Sequence, residues 1–342
     1  MTPTALILAG GVGSRLRPLS SDENPKQFLR IFDGASLLEK TFARVTRLVE
    51  PPSIFISTNE QYAPKCAAHL PRLPEVNILT EPARRNTAPA IAVCCFAIES
   101  VIGDAVIAVL ASDSYIADED EFVRVLACAY DFAAASDYLV TIGIEPTEAN
   151  TGYGYLQLGA EIDFAGVGGR ESGVGDSPVA APASRSPGVG SRESSVGDRE
   201  PRPASGETPT PDPRPPTPIL RVDRFHEKPS RERAEEFLRA GNYAWNAGMF
   251  VWRVSVFRRA LETAAPEIAS LADRIVTSGD PARRVEHYEA MPSISIDYAL
   301  MEKAPRVAAL RGNFGWSDVG SFESLERAGV PVAELLKKAA ST

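Results

Sequence analysis

Short apolar runs alternate with segments of helical spacing from the N-terminus to Ile144. The runs Thr4–Ala9 and Ala105–Leu110 lack polar alternation, which is typical of parallel strands buried on both faces. Leu37–Val49 has apolar residues at a helical spacing, and Thr87–Ser100 is long and apolar enough for a buried helix. This alternation predicts an α/β fold with a Rossmann-like, mostly parallel sheet flanked by helices. The other elements predicted in this half are the strands Ser53–Ser57, Val76–Leu79 and Tyr138–Ile144 and the helix Asp120–Ala135.

The second half of the chain is less regular and predicts a smaller lobe. Thr151–Leu158 and Ile219–Phe225 have the pattern of strands, and we expect them to pair as a hairpin whose tip has been extended. The remaining predicted elements are the helices Arg231–Ala240, Val254–Thr263, Ile296–Lys303 and Ala333–Ala340 and the strands Ala244–Val251 and Val307–Leu310.

Residues 165–218 differ in composition from the rest of the chain. These 54 residues contain 11 Pro, 9 Gly and 8 Ser, and no Leu, Ile, Met, Phe, Tyr or Trp. Without large apolar side chains the segment cannot offset its backbone entropy by burial, so we predict a disordered insert. An inert insertion is favoured over a linker or an interaction segment. We therefore expect one catalytic domain over residues 1–330, interrupted by this insert, and a short C-terminal helix and tail over 331–342.

Charge and hydropathy exclude several classes of protein. The chain has 36 Lys and Arg against 45 Asp and Glu, a net charge of −9, which argues against nucleic-acid binding. Its longest apolar run, Ala88–Ile98, is too short to span a membrane, and its N-terminus lacks the basic start of a signal peptide. The cysteines do not show paired metal-ligand spacing, so buried thiols in a reducing cytoplasm are expected. They are Cys66, Cys94, Cys95 and Cys128.

A glycine loop directly after the first predicted strand is the strongest local motif. Gly10, Gly11 and Gly13 allow backbone N–H groups to approach an anion closely, and Arg15 and Lys26 add positive charge nearby. In an acidic chain, this basic cluster indicates a phosphate-rich ligand. The motif is not a P-loop, because no Gly-Lys-Ser/Thr ends it. It is not a dinucleotide fingerprint either, because Arg15 stands where the third glycine should be.

Gly10–Ser20 together with Pro25-Lys26 resembles the signature of the sugar-1-phosphate nucleotidyltransferases. Five further segments narrow the resemblance to the mannose-1-phosphate guanylyltransferases, also called GDP-mannose pyrophosphorylases. The order and spacing of these segments match over nearly the whole chain outside the insert. They are Glu81–Pro89, Phe225–Pro229, Asn246–Phe250, Ser295–Ala299 and Gly315–Gly320.

The resemblance implies a reaction in which GTP and α-D-mannose 1-phosphate give GDP-mannose and pyrophosphate. The sugar-phosphate oxygen would attack the α-phosphorus in line, without a covalent enzyme intermediate, so the protein must position the substrates and neutralise charge. Mg²⁺, or another divalent cation, is the implied cofactor. The expected partners are GTP and mannose 1-phosphate, with no nucleic acid or membrane; the resemblance admits a homodimer, and the oligomeric state stays open.

Four charged residues are the candidate catalytic group. Arg15 suits the β- and γ-phosphates that leave, since its fork geometry allows bidentate contact, and Lys26 is close enough in sequence to reach the α-phosphate. Asp113 follows a predicted strand at the edge where the triphosphate should lie. The resemblance makes Asp113 and Asp318 the two metal-binding carboxylates, a donor type that Mg²⁺ prefers.

The nucleotide is expected to lie between the glycine loop and the segment that begins at Glu81. A carboxylate there can accept two N–H bonds from the N1 and N2 edge of guanine, and leaving it unpaired would reject the wrong base. The predicted helix beginning near Pro89 offers its N-terminus as another phosphate contact. The nucleotide-binding candidates are Leu8, Gly10, Gly11, Gly13, Glu81, Arg85, Asn86 and Thr87.

The second half supplies the candidates for a sugar-binding lobe. Gly154 would permit close approach of the hexose, Glu227 would bond sugar hydroxyls, and Lys228 would contact the sugar phosphate. Asn246 offers an amide to further hydroxyls. Asp297 is also a candidate, although an acidic residue at the start of a helix explains it equally well.

The chain departs from the family at two places. Ser114 stands where the family usually has a histidine after the first metal-binding aspartate, which puts fine geometry and rate in doubt. Relatives commonly continue past Gly315–Gly320 into a β-helical piece or an isomerase domain, so no isomerase activity is expected here.

Two alternative functions stay open on the sequence. One is nucleotidyl transfer with a different base or sugar 1-phosphate, such as manno-heptose. The other is a catalytically silent regulator that binds a sugar nucleotide, which the presence of all four charged candidates disfavours. A Rossmann dehydrogenase is disfavoured by the failed fingerprint.

Overall fold

The computed structural model describes residues 1–163 and 217–339. The predicted insert at 165–218 lies outside these residues except for its last two positions. In the described part, the strands are β1 (Pro3–Leu8), β2 (Ile54–Asn59), β3 (Ile78–Glu81), β4 (Val106–Ala111), β5 (Tyr115–Ile116), β6 (Leu139–Ile144), β7 (Tyr155–Glu161), β8 (Ile219–His226), β9 (Tyr243–Arg253), β10 (Val307–Gly312) and β11 (Trp316–Ser317).

The helices lie mostly between these strands, as the sequence pattern predicts. They are α1 (Leu37–Val45), α2 (Ala63–His69), α3 (Thr87–Ile102), α4 (Glu119–Ala135), α5 (Arg231–Ala240), α6 (Val254–Ala264), α7 (Pro266–Thr277), α8 (Pro281–Ala290), α9 (Phe322–Arg327) and α10 (Val332–Ala339), with a π-helical turn at Asp297–Met301. Short 3₁₀ turns occupy Ser14–Leu16, Lys26–Phe28, Pro51–Ser53 and Glu75–Asn77.

Nine of the described strands form one sheet in the order β3-β2-β1-β4-β9-β6-β10-β8-β7, and β9 also pairs with β7. The pairings β1–β2, β1–β4, β2–β3 and β6–β10 are parallel. β9 lies antiparallel between β4 and β6, and β8 is antiparallel to β10 and β7. All strands of this sheet except β8 and β9 therefore run in one direction, and the predicted mostly parallel α/β sheet is confirmed.

Helices cover both faces of the sheet. Because side chains alternate along a strand, Ala5 and Ile7 of β1 join one core with residues of α1, α2 and α4. Leu6 joins the other core with residues of α3, α6 and α7. The strands are thus buried on both sides, which explains their apolar runs.

Several predicted elements have different bounds in the structure. The strand predicted at Val76–Leu79 begins only at Ile78, because a 3₁₀ turn precedes it, and the strand predicted from Thr151 begins at Tyr155. The helix predicted to end at Val49 ends at Val45. The sequence pattern did not predict helices α2, α7, α8 and α9 or the two short strands β5 and β11. The predicted hairpin is confirmed, since β7 and β8 pair with Tyr155 opposite His226.

A small third cluster joins the C-terminal helices to the glycine loop. Val332 of α10 and Leu325 of α9 pack with Leu16 and Val319, which adjoin the candidates Arg15 and Asp318. None of the helices in residues 1–163 and 217–339 has both the length and the apolarity of a membrane span.

Candidate active site

The glycine loop follows β1 at the carboxyl edge of the sheet, where α/β proteins bind ligands. The side-chain amide of Gln27 donates to the carbonyl oxygens of Ala9 and Gly11, each at 2.9 Å. Gly13 has a φ of +64°, and the Ser20 hydroxyl donates to its carbonyl oxygen at 2.7 Å. These hydrogen bonds fix the backbone of the loop where it turns back toward Lys26.

Gly13 is required because Lys26 packs directly against it. A Cβ at position 13 would lie 2.5 Å from the Cβ of Lys26. The lysine side chain is buried, and its Nζ lies 2.7 Å from Oδ2 of Asp113. The same nitrogen donates to the carbonyl oxygen of Asp318 at 2.5 Å. Lys26 therefore links both predicted metal-binding residues.

Asp113 sits in a loop that α1 braces from behind. The buried guanidinium of Arg44 donates to the carbonyl oxygen of Ser114 at 3.2 Å and to the hydroxyl of Thr41 at 2.8 Å. On the other side of Asp113, Ser112 donates its N–H to the carbonyl oxygen of Leu8 at 3.0 Å. This loop is thereby tied to the strand that leads into the glycine loop.

A two-stranded ribbon brings the second carboxylate to the first. β5 begins two residues after Asp113 and pairs antiparallel with β11, which ends one residue before Asp318. Oδ1 of Asp318 accepts from the hydroxyl of Tyr153 at 2.9 Å, and its Oδ2 lies 3.5 Å from Nη2 of the exposed Arg15. Burial, with the nearby Asp318 anion, raises the pKa of Tyr153.

Glu81 ends β3 and lies beside the glycine loop, with Oε1 3.5 Å from the position of a Cβ on Gly10. Oε1 accepts from the Ser57 hydroxyl at 3.0 Å, and Oε2 accepts from the Tyr288 hydroxyl at 2.5 Å. Burial raises the pKa of the Glu81 carboxyl, and these two hydrogen bonds act against the increase.

The segment after Glu81 leads into α3. Asn86 has a φ of +67°, and its side chain accepts from the N–H of Thr87 at 2.8 Å, which caps the helix. The Thr87 hydroxyl accepts from the N–H of Ile296 at 2.9 Å. This bond joins the nucleotide candidates to the segment that carries Asp297.

All five predicted sugar-side residues lie together. Glu227 Oε2 lies 2.6 Å from the position of a Cβ on Gly154, so a larger residue there would displace the Glu227 carboxylate, and Lys228 Nζ lies 2.8 Å from Glu227 Oε1. Asn246 donates its side-chain amide to Oδ1 of Asp297 at 2.7 Å. Burial raises the pKa of the Asp297 carboxyl, and the hydrogen bond from Asn246 lowers it.

A cavity of about 500 Å³ connects the nucleotide candidates with Asp113 and Asp297. Its volume is in the usual range for a small-molecule site. Lys26 lies outside the lining and contacts it at Asp113, and Gly13 and Asp318 contact Lys26. Arg15 in turn pairs with Asp318. On the sugar side, Asn246 contacts the lining at Asp297. The predicted residues in its lining are Leu8, Gly10, Gly11, Glu81, Arg85, Asn86, Thr87, Asp113 and Asp297; the lining residues not predicted include Val12, Arg84, Gly248 and Phe250.

The sequence did not point to Tyr288, Ser57 and Tyr153, whose hydroxyls donate to the carboxylates of Glu81 and Asp318. Tyr288 lies on α8, which the Asp280-Pro281 pair at its start could have revealed, since this is a common helix N-terminal signal. Tyr153 lies within the predicted Gly152–Tyr155 motif, but only its neighbouring glycine was singled out. No local signal pointed to Ser57, which sits inside β2.

The glycine loop and Asp113 lie at the carboxyl ends of a mostly parallel sheet, and Lys26 and Asp318 are brought beside them. This arrangement defines a class of site suited to phosphorylated ligands. The profile of the Nucleotidyl transferase family matches residues 4–166 and 213–334, and the chain belongs to this family. The mixed α/β fold agrees with it. Residues 167–212, most of the predicted insert, fall outside the match.

Two relatives that share the name mannose-1-phosphate guanylyltransferase are similar to nearly all of this chain. The chain is 34% identical over 329 residues to mannose-1-phosphate guanylyltransferase of Salmonella muenchen, a match that covers 94% of this chain and 58% of that protein. It is 33% identical over 338 residues to the protein of that name from Escherichia coli (strain K12), covering 96% and 60%. The chain thus spans about three fifths of the length of these relatives.

A solved structure is also similar to this chain. The crystal structure of the protein named mannose-1-phosphate geranyltransferase, from Thermus thermophilus, superposes with a TM-score of 0.73 at 30% identity. The match covers 96% of this chain and 79% of that one.

Proposed function

We propose that this protein transfers GMP from GTP to α-D-mannose 1-phosphate, giving GDP-mannose and pyrophosphate. The main support for the proposal is a continuous cavity that extends from Glu81, the residue expected to recognise guanine, to the Lys26–Asp113 pair. The names of the relatives, which share about a third of the sequence, supply the base and the sugar.

The guanine would lie against Glu81 and the glycine loop. As a carboxylate, Glu81 accepts N–H donors and offers none, so it suits the N1–H and N2–H₂ edge of guanine. Adenine and the pyrimidines present no such pair of donors there. A ligand that desolvates the remaining acceptor positions of this half-buried carboxylate without supplying donors to them costs free energy, which favours GTP over the other triphosphates.

The phosphates would lie between the glycine loop and Asp113. The sugar-phosphate oxygen forms a bond to the α-phosphorus while the bond from that phosphorus to the bridging oxygen of pyrophosphate breaks. Lys26 holds a positive charge at the reacting phosphate, and the exposed guanidinium of Arg15 supplies positive charge to the leaving pyrophosphate. Both act by stabilising charge, with no nucleophile from the protein.

The residues at this point fit a divalent cation. Asp113 and Asp318 are partly exposed, and Lys26 bonds the carboxylate of the first and the main-chain carbonyl oxygen of the second. Carboxylate oxygens of this kind suit Mg²⁺. Among the described residues no three potential metal-ligating side chains cluster. One or two carboxylates completed by substrate phosphates is the usual arrangement for Mg²⁺. When bound, the cation supplies further charge neutralisation to the phosphates.

The mannose 1-phosphate would lie on the side of the cavity formed by Asp297. Lys228, whose pKa the Glu227 carboxylate raises, supplies positive charge for the sugar phosphate. Glu227, Asn246 and Asp297 offer hydrogen-bonding groups for the sugar hydroxyls.

The four free thiols, three of them buried, agree with a reducing cytoplasm as the location.

A substrate panel tests the proposal. Purified protein is incubated with GTP, UTP, dTTP or ATP against mannose 1-phosphate, glucose 1-phosphate or a manno-heptose 1-phosphate, and pyrophosphate release is measured. We expect GTP with mannose 1-phosphate to have the highest kcat/KM. Comparable turnover with UTP would contradict the assignment of guanine, and preference for the heptose would contradict the sugar. Binding without turnover of any pair would favour the silent regulator.

A further inference from the structure

Tyr288 lies outside the predicted motifs and contacts Glu81, the residue proposed to recognise guanine. It lies on α8 and is 2% exposed, with its ring in the core between α3, α6 and α7. Its hydroxyl donates to Oε2 of Glu81 at 2.5 Å, while Ser57 donates to Oε1 at 3.0 Å. Each carboxylate oxygen therefore has one donor from the protein.

We propose that the Tyr288 hydroxyl, together with that of Ser57, positions the Glu81 carboxylate and thereby sets the selectivity for guanine. The inference rests on the proposed function and adds to it a pair of specificity-determining positioning residues. Neither Tyr288 nor Ser57 is among the residues that line the cavity, so both act through Glu81.

The number of hydrogen bonds supports this assignment. An ionised carboxylate has about four acceptor positions on its two oxygens. Tyr288 and Ser57 occupy one on each oxygen, which leaves one on each oxygen for the ligand. The guanine edge presents two donors side by side, N1–H and one N2–H. Hypoxanthine presents only N1–H there, and adenine presents neither.

The charge of Glu81 supports it as well. Burial raises the pKa of this carboxyl, and the donors Tyr288 and Ser57 favour the ionised form. The other titratable groups around Glu81 are Cys94 on α3, Arg284 on α8, Glu60, and the guanidinium groups of Arg84 and Arg85. Without Tyr288 the carboxyl is protonated more readily and freer to rotate. A protonated acid would direct an O–H donor at guanine donors.

The test compares three nucleotides with Tyr288→Phe. GTP, ITP and ATP present two, one and no donors to Glu81, and kcat/KM is measured for each with mannose 1-phosphate at saturation. We expect the ratio of GTP to ITP to fall about tenfold, the effect of one lost hydrogen bond to a charged group. The loss should lie mainly in the KM for GTP, with kcat nearly unchanged, because the reacting phosphates are not touched.

Tyr130→Phe is the matched control. Tyr130 is also buried, and its hydroxyl donates to the carbonyl oxygen of Thr4 at 2.7 Å, far from the candidate base site on the other face of the sheet. Its loss should lower the melting temperature similarly without changing the ratio of GTP to ITP. Ser57→Ala provides a second variant should Tyr288→Phe fold poorly, and the same fall in the ratio is expected.

The outcomes separate the two proposals. An equal loss of kcat/KM for GTP, ITP and ATP in the folded variants would show that these hydroxyls only stabilise the fold, and would overturn the inference. A wild-type protein that does not prefer GTP would instead overturn the proposed function.

Discussion

The ammonium nitrogen of Lys26 lies 2.7 Å from Oδ2 of Asp113, in a pair whose lysine side chain is 6% exposed and whose aspartate side chain is 37% exposed. The positive charge is thus held inside the protein while its partner opens toward the cavity. The glycine loop supplies the room for this arrangement at Gly13, and the carbonyl oxygen of Asp318 accepts a second bond from the same nitrogen.

Lys26→Met should reduce kcat by about a hundredfold or more, because it removes a preorganised charge from the reacting phosphate while keeping most of the apolar stem. Initial rates of pyrophosphate release at saturating GTP and mannose 1-phosphate measure this. Lys40→Met, which removes a lysine paired with the exposed Asp33, is the control and should leave kcat unchanged. A fully active Lys26→Met protein would remove this residue from the proposed mechanism.

Asp318→Asn should raise the Mg²⁺ concentration needed for half-maximal activity and lower the maximal rate, since an amide is a weaker ligand for a hard cation. The measurement is a Mg²⁺ titration of activity, started from protein treated with a chelator. Asp33→Asn changes a 92% exposed aspartate side chain in the same way and serves as the control. If Asp318→Ala keeps full Mg²⁺-dependent activity, Asp318 is not a metal ligand.

Gly13→Ala should destabilise the fold and lower activity. The residue has a φ of +64°, which costs about 1–2 kcal/mol for a side chain with a Cβ, and the new methyl group would press on Lys26. Denaturant unfolding measures the free energy of unfolding. Gly279→Ala is the matched control, because a Cβ there meets nothing within 4 Å and its φ is not positive. Equal stability of the two variants would contradict the close packing at Gly13.

Glu81→Gln should stabilise the fold near neutral pH while weakening the use of GTP. Burial raises the pKa of the folded carboxyl above its ordinary value of 4.5, so ionisation at higher pH favours the unfolded state. The gain in free energy of unfolding should therefore be present at about pH 8 and disappear as the pH falls below 4.5, where Glu81 is protonated in both states.

Unfolding in denaturant at several pH values, alongside the KM for GTP, tests the Glu81 prediction. For the wild-type protein, the KM for GTP should rise as the pH falls through the raised pKa of this carboxyl. A Glu81→Gln variant that is less stable at every pH would contradict the argument from burial.

Replacing residues 165–216 with a short turn should preserve activity and stability. Glu161 of β7 is paired with Leu220 of β8, and Ile162 donates its N–H to the carbonyl oxygen of Ile219 at 2.7 Å, so the two strand ends already lie side by side. A few residues suffice to join antiparallel strands. Thermal melting and kcat/KM measure the result. A large loss of kcat/KM in a folded variant would show that the proposed insert is not inert.

Much of the fold was predictable because each signal was local. The apolar runs of β1, β2, β4 and β6 and the long apolar α3 predicted a mostly parallel α/β sheet with nearly correct bounds. In such a sheet the loops after the strands gather at one edge, which brought the glycine loop, Glu81 and Asp113 to one expected site. The motifs of the second half likewise named Glu227 and Asn246 before their neighbours were known.

The sequence by itself thus determined which chemical groups are present and which loops carry them. Only the tertiary structure decided that β9 enters between β4 and β6, that β5 and β11 join the loops of Asp113 and Asp318, and that α8 brings Tyr288 to Glu81. These contacts join residues far apart in the chain, and their free energy comes from packing that no local pattern encodes. For the same reason, the burial of Lys26 was visible only once the sheet and both its faces were assembled.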